Sequence, residues 1–292
     1  MTHAISSLPP EGSPVVRSLP IGACNAHCHV FGPSERFPYA VNAPFVPKHA
    51  APKEDLYALN DRLGLRRCVV VQSTCHGLDN SVSEDAVAGR ARDYRGIALL
   101  ASDVSKTELQ RLDRAGFRGV RFNFMGHLGG QAPIEEVLAL AARIEPLGWH
   151  LQVHGSPNLL TDFGLDLSRS PVPVVIDHIG RIDASLGLQQ KDFLALQGLM
   201  RLEKFWVKLS GMDRISQIGP PYEDAQPFAR SLIQEFGDRV LWGNDWPHPN
   251  HAGPMPRDDE LVQLIHALAP TEPEIERLMV SNPQRLYQFG EL

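Results

Sequence analysis

The feature that most constrains this chain is an alternation, repeated about eight times, of short apolar β-branched runs with longer amphipathic stretches. The runs are CNAHCHV (24–30), RCVVVQST (67–74), GIALLAS (96–102), GVRFN (119–123), HLQVHG (150–155), VPVVIDH (172–178), FWVKLSG (205–211) and RVLWGNDW (239–246). Each is short and continuous enough for a strand buried on both faces, as in a parallel sheet. Between them, Leu56, Leu59 and Leu63 share one face of a helix predicted over 53–63, and a helix over 105–115 opens on a capping box of Ser105 and Glu108. Further helical patterns cover 134–147, 189–203, 225–236 and 258–269. Strands alternating with helices build βαβ units, and this many of them close into an α/β fold of the (β/α)8 TIM-barrel type. A doubly wound open sheet is the rival, but no G-x-G-x-x-G turn follows the first run.

Length fits one such domain, since a barrel needs about 250 residues and the chain has 292. The barrel is predicted over 20–292, preceded by a flexible arm, 1–19, rich in Pro, Ser and Gly. The proline- and aromatic-rich segment 31–52 reads as an active-site loop after the first strand. With 28 Lys+Arg against 34 Asp+Glu and no basic run, the charge pattern argues against a nucleic-acid partner. No signal peptide or membrane span is expected, and a cytoplasmic location follows as the default. Cys24, Cys28, Cys68 and Cys75 are expected to be free thiols. The expected partner is a small-molecule substrate, and assembly into a homo-oligomer stays open.

In a parallel barrel the chemistry sits at the carboxyl ends of the strands, which selects among the twelve histidines. His27 and His29 alternate on the first strand, so both side chains point into the barrel mouth, where they could grip one metal ion or one substrate oxygen. His178 closes the sixth run and Asp245 the eighth. A buried carboxylate among histidines can act as a general base toward water or ligate a metal. Singly, each residue also has a plainer reading: a core histidine for His178, a helix N-cap for Asp245. The four together are far more specific than any one.

These residues lie in longer motifs: AHCHVFGP (26–33), QSTCHGLDN (72–80), GVRFNF (119–124), VIDHIGR (175–181), GNDWPHPN (243–250) and SNPQRLYQF (281–289). Through them nearly the whole chain resembles the amidohydrolase-2 branch of the amidohydrolase superfamily, and within it the lactonases of pyrone dicarboxylates. The resemblance implies opening of a lactone ring, with Asp245 activating water and His27, His29 and His178 polarising the carbonyl. It also implies that Arg121 and Arg214 bind substrate carboxylates, with Thr74 and His76 as lesser pocket residues. Three positions depart from the lactonase pattern: His127 replaces an arginine, Phe45 a tyrosine of the first loop, and His154 a tyrosine at the end of the fifth strand. All three belong to the part of the pocket expected to recognise the substrate.

His154 also adds to a metal-ligand set. His27, His29, His154 and Asp245 would suit one divalent ion, zinc by donor type, and no lysine in VRFNF is available to bridge a second. Metal-independent catalysis is the alternative. Other functions compatible with the same residues are a metal-dependent decarboxylase, a sugar-acid lactonase and, outside enzymes, a non-catalytic small-molecule binding barrel.

Overall fold

In the computed structural model, which describes residues 18–125, 132–251 and 253–291, eight parallel strands follow one another in chain order. They are β1 (Cys24–Cys28), β2 (Arg67–Val71), β3 (Tyr94–Ala98), β4 (Phe117–Asn123), β5 (His150–His154), β6 (Val174–Ile176), β7 (Phe205–Lys208) and β8 (Val240–Leu241). The chain after β8 returns to β1: the Ala26 N–H donates to Trp242 O at 2.8 Å, Asp245 N–H to His27 O at 2.9 Å and His29 N–H to Trp246 O at 2.7 Å. These bonds close the sheet into the predicted (β/α)8 barrel. Most of the expected arm, residues 1–17, and His127 lie outside the described residues.

Helices α1 (Lys53–Leu63), α2 (Ser81–Ala88), α3 (Lys106–Arg114), α4 (Ile134–Ile144), α5 (Leu159–Leu167), α6 (Lys191–Met200), α7 (Met212–Ile215), α8 (Gln226–Phe236) and α9 (Asp258–Leu268) connect the strands or follow the last one. Two more, α10 (Glu272–Glu276) and α11 (Asn282–Tyr287), complete the described chain. Helix α1 runs over the predicted span, buries Leu56, Leu59 and Leu63, and stops at Gly64, whose φ of 73° lets its N–H reach back to the Asn60 and Asp61 carbonyls. At α3 only half of the expected capping box forms. Ser105 Oγ accepts the Glu108 N–H at 3.1 Å, but the Glu108 carboxylate turns instead to Arg111. A complete box forms at Thr271 and Glu274 of α10.

The strand ends differ from expectation where polar chemistry interrupts the apolar pattern. β3 starts at Tyr94 because that side chain is buried with its hydroxyl hydrogen-bonded by Asn60, while Arg95 folds onto main-chain carbonyls. β8 ends at Leu241, well short of 246, because the backbone leaves the ladder before the left-handed turn at Asp245, where φ is 63°.

Leu286, Tyr287 and Phe289 from the end of the chain pack with Cys24, Val69, Ile97, Val175, Trp206 and Leu241 and plug one end of the barrel. Arg67 and Arg95, at the starts of β2 and β3, donate to the Gly290 and Gln288 carbonyls and tie this plug to the amino-terminal end. The opposite, carboxyl-terminal end is left for side chains that do chemistry. All four cysteines are buried and unpaired by disulfides, with Cys28 Sγ and Cys68 Sγ 3.1 Å apart. Among the described residues no helix is long and apolar enough to cross a membrane.

Candidate active site

His27 and His29 both face inward at the mouth of the barrel, assisted by an irregularity in the β1 to β2 register between Asn25 and Cys28. His29 Nδ1 lies 2.7 Å from the Val71 carbonyl, which can only accept, so that nitrogen carries a proton, and in the neutral ring Nε2 is the lone pair. Asp245 Oδ1 sits 3.2 Å from His29 Nε2 and 3.6 Å from His27 Nε2. His178 packs its ring 4.7 Å from that of His27, with Nδ1 3.0 Å from Ser210 Oγ. The structure therefore brings His27, His29, His178 and Asp245 into one buried cluster. Both His178 and Asp245 have left-handed backbones, with φ of 52° and 63°, conformations that cost non-glycine residues energy and recur at functional sites. Gly211 leaves room for the His178 ring, since a Cβ there would fall 2.9 Å from His178 Nδ1.

The electrostatics separate the groups. Burial pushes the Asp245 carboxyl up, but the Arg214 guanidinium outweighs it and holds it well below the usual carboxylate range. Arg214 does so with two nitrogens on Oδ2, Nε at 2.6 Å and Nη2 at 2.5 Å. Oδ1 has no hydrogen-bond donor among the described residues. Burial keeps His27, His178 and His154 neutral. His27 is lowered to about 3, by burial and then by Lys208, and His178 and His154 are held well below 6.5 by their own burial.

Beneath this cluster lies a layer that the sequence patterns did not single out. Asp177 accepts from Arg121 Nε at 2.9 Å and Gln152 Nε2 at 3.1 Å, both on Oδ2. Lys208, fully buried, donates to Gln152 Oε1 at 2.7 Å and stands 3.3 Å from His27 Nδ1. Burial lowers its pKa from 10.5 to about 8. Burial raises the Asp177 carboxyl, yet His27, Arg121 and Lys208 together hold it well below its usual value.

The cavity above is lined by Phe45, Thr74, Arg121, His154, Arg181 and Arg214, together with His29, His178 and Asp245. Arg121 and Arg214 thus reach the predicted pocket, although each already has a carboxylate partner. His76 does not line it. Instead its Nδ1 lies 3.1 Å from the Pro38 carbonyl and its ring packs between Phe31 and Tyr39, which anchors the first loop. Arg181, absent from the sequence-based set, lines the cavity with no ion pair among the described residues. It stands in VIDHIGR three residues after His178, the signal that could have found it.

Two groups of side chains place their ligand atoms within 4.8 Å of one another: His27, His29 and Asp245, and His27, Asp177 and His178. Either could hold a metal ion. His154 joins neither group; its Nδ1 lies 3.0 Å from Asn123 Oδ1, its Nε2 has no hydrogen-bond partner among the described residues, and its ring is 5.1 Å from that of His178.

A closed parallel barrel with paired histidines on its first strand, a histidine after the sixth and an aspartate after the eighth defines an amidohydrolase-type barrel. Residues 24–289 match the amidohydrolase family model, and the chain belongs to that family. It is 44% identical over 278 residues to a 2-pyrone-4,6-dicarboxylate hydrolase of Comamonas testosteroni, covering 92% of this chain and 91% of the relative. It is 39% identical to a 4-sulfomuconolactone hydrolase of Rhizobium radiobacter, with 97% of each chain covered. A crystal structure from Pseudomonas putida, provisionally described as a 2-pyrone-4,6-dicarboxylic acid hydrolase, superposes with a TM-score of 0.82 at 30% identity, covering 94% of this chain and all of that one.

Proposed function

We propose that this protein is a lactone hydrolase that opens a small carboxylated lactone, with Asp245 as general base. The observation that carries this reading is Asp245 Oδ1: buried, on a carboxylate kept ionised by Arg214, without a hydrogen-bond donor among the described residues, and bordering a cavity lined by arginines. Two relatives named as hydrolases of anionic lactones support the same chemistry. Water bound against Oδ1 loses a proton to Asp245 and attacks the lactone carbonyl. N–H donors from His27 and His178 stabilise the oxyanion. On collapse the bond to the ring oxygen breaks, and that oxygen takes the proton held by Asp245, so one lactone and one water give one new acid. Arg181 and the outer nitrogens of Arg121 are placed to receive the anionic substituents. The unpaired, buried cysteines suit a cytoplasmic enzyme.

A second reading places one divalent ion, zinc by donor chemistry, on His27, His29 and Asp245, with His154 as the fourth ligand suggested by the sequence. His29 Nε2 and Asp245 Oδ1 fit, as facing acceptors in need of a shared cation or proton. His27 fits only if its Nε2 is bare, and His154 stands outside the group. When bound, such an ion lowers the pKa of its water toward neutrality. The cations already present, Arg214 on Asp245 and Lys208 at His27, favour the metal-free reading.

The test is acid release from lactones carrying zero, one or two carboxylates, by wild type and Asp245→Asn. Carboxylated lactones should be preferred, and Asp245→Asn should lose about 10²- to 10⁴-fold in kcat. Turnover surviving in Asp245→Asn would remove the base. Release of carbon dioxide instead would indicate a decarboxylase, and ligand binding without turnover a binding protein. Full activity after exhaustive chelation, with no metal retained, would eliminate the zinc reading.

A further inference from the structure

The two histidines of β1 are two residues apart, yet their far sides meet opposite chemistry. His29 Nδ1 faces a carbonyl and carries a proton, so in the neutral ring its Nε2 is the lone pair. His27 Nδ1 has two neighbours at the same distance: Lys208 Nζ at 3.3 Å, which can donate, and Asp177 Oδ1 at 3.3 Å, which can only accept. Among the described residues the carboxylate oxygen meets no donor in hydrogen-bond geometry, whereas the lysine stands where it can donate to the ring nitrogen.

Lys208 is itself fixed in place. Gln152 must turn its amide NH2 toward Asp177 Oδ2, at 3.1 Å, which leaves Oε1 to accept from Lys208 at 2.7 Å. Arg121 Nε takes another lone pair of the same Oδ2 at 2.9 Å. The chain of donors therefore runs from Lys208 in two directions, to Gln152 and to His27. A lysine that is fully buried is costly unless its protons find partners, and His27 Nδ1 is the second partner within hydrogen-bond reach.

We infer that Lys208 is a positioning residue that fixes the tautomer of His27, so that His27 presents an N–H and His29 a lone pair to the space around Asp245. The two rings then divide the work. His27 can donate to a developing oxyanion, and His29 can accept from water together with Asp245. The same assignment sets metal affinity, because a ligating imidazole needs its Nε2 bare. Removing the lysine donor leaves an acceptor, Asp177 Oδ1, as the neighbour of Nδ1, which favours the proton on that nitrogen and a bare Nε2 beside His29 and Asp245.

The catalytic half of this inference rests on the proposed hydrolase, but the tautomer and metal halves do not need turnover. The test is nitrogen-edited NMR of the full chain after chelation, with His27→Gln and His29→Gln used to assign the rings. In wild type, His27 should carry its proton on Nε2 and His29 on Nδ1. In Lys208→Met, His27 should move its proton to Nδ1, and zinc affinity read by titration should rise about tenfold or more. Its kcat should fall about 10- to 100-fold with KM within about twofold. A wild-type His27 protonated on Nδ1 overturns the inference even if the variant does not fold. So does a folded Lys208→Met with unchanged tautomer and zinc affinity. Loss of turnover in Asp245→Asn has no bearing on either measurement.

Discussion

The two oxygens of Asp245 are in different situations: Oδ2 takes two nitrogens of Arg214, whereas Oδ1 has no hydrogen-bond donor among the described residues and faces two imidazole nitrogens. An arginine expected from the sequence to grip substrate is thus first a partner of Asp245, the proposed base. Arg214→Met should let burial dominate and raise the Asp245 carboxyl, so the base would be protonated up to a higher pH. The acidic limb of the kcat/KM profile should then move upward, with a loss of about 10- to 100-fold at neutral pH. A limb that stays in place, with only KM rising, would assign Arg214 to substrate alone. The residues readable in the sequence were those whose chemistry coincides with a strand end, namely His27, His29, His178 and Asp245. Lys208 and Asp177 were harder to read because they stand inside apolar runs, where a charge looks like an interruption until its partners on other strands are known. His76 illustrates the converse. Its motif is shared with pocket residues, but its ring supports the first loop.

Among the elements, α1 was legible to the residue because its apolar face, its following glycine and its length all agree. Helix α5 carries Gly164 in its interior, and β8 keeps only two ladder residues, so the periodic signal is weak in both. β8 nevertheless controls the site through contact. A Cβ at Gly243 would fall 2.5 Å from the His27 backbone nitrogen and 2.7 Å from its Cβ, too close for any real side chain. Gly243→Ala should therefore push the segment after β8 away from β1. We expect destabilisation of about 1–3 kcal/mol by thermal or urea unfolding, with activity falling more than stability alone would explain. Gly198 on α6 provides the control, because a methyl group there would meet nothing within 4 Å and the residue is exposed in a helix interior. Gly198→Ala should stabilise by about 0.4–1 kcal/mol with activity unchanged. Equal effects at the two glycines would contradict the close-approach argument.

For the whole molecule, the buried imidazoles dictate how the fold meets acid. His27 and His150 are each lowered from 6.5 to about 3, chiefly by burial and then by Lys208. Between these limits the unfolded chain binds protons on both that the folded chain refuses, so stability falls as the pH is lowered through the window. Below it, Asp177 and Asp245 act in the same direction, because their depressed pKa values confer stability that is lost as they are finally protonated. The urea midpoint should drop steadily from pH 6.5 toward 3. His150→Leu, which removes one such group outside the catalytic cluster, should make that drop shallower, and an unchanged slope would show that His150 is not buried neutral. The closure of the barrel has a consequence for synthesis as well. Asp245, the proposed base, reaches its histidines across the seam where β8 meets β1, through bonds spanning more than two hundred residues of sequence. A chain emerging from the ribosome therefore carries Lys208, Asp177 and Arg214 long before their buried partners are all in place. A nascent chain that ends before Asp245 lacks the proposed base, so turnover should begin only once the segment after β8 has docked on β1.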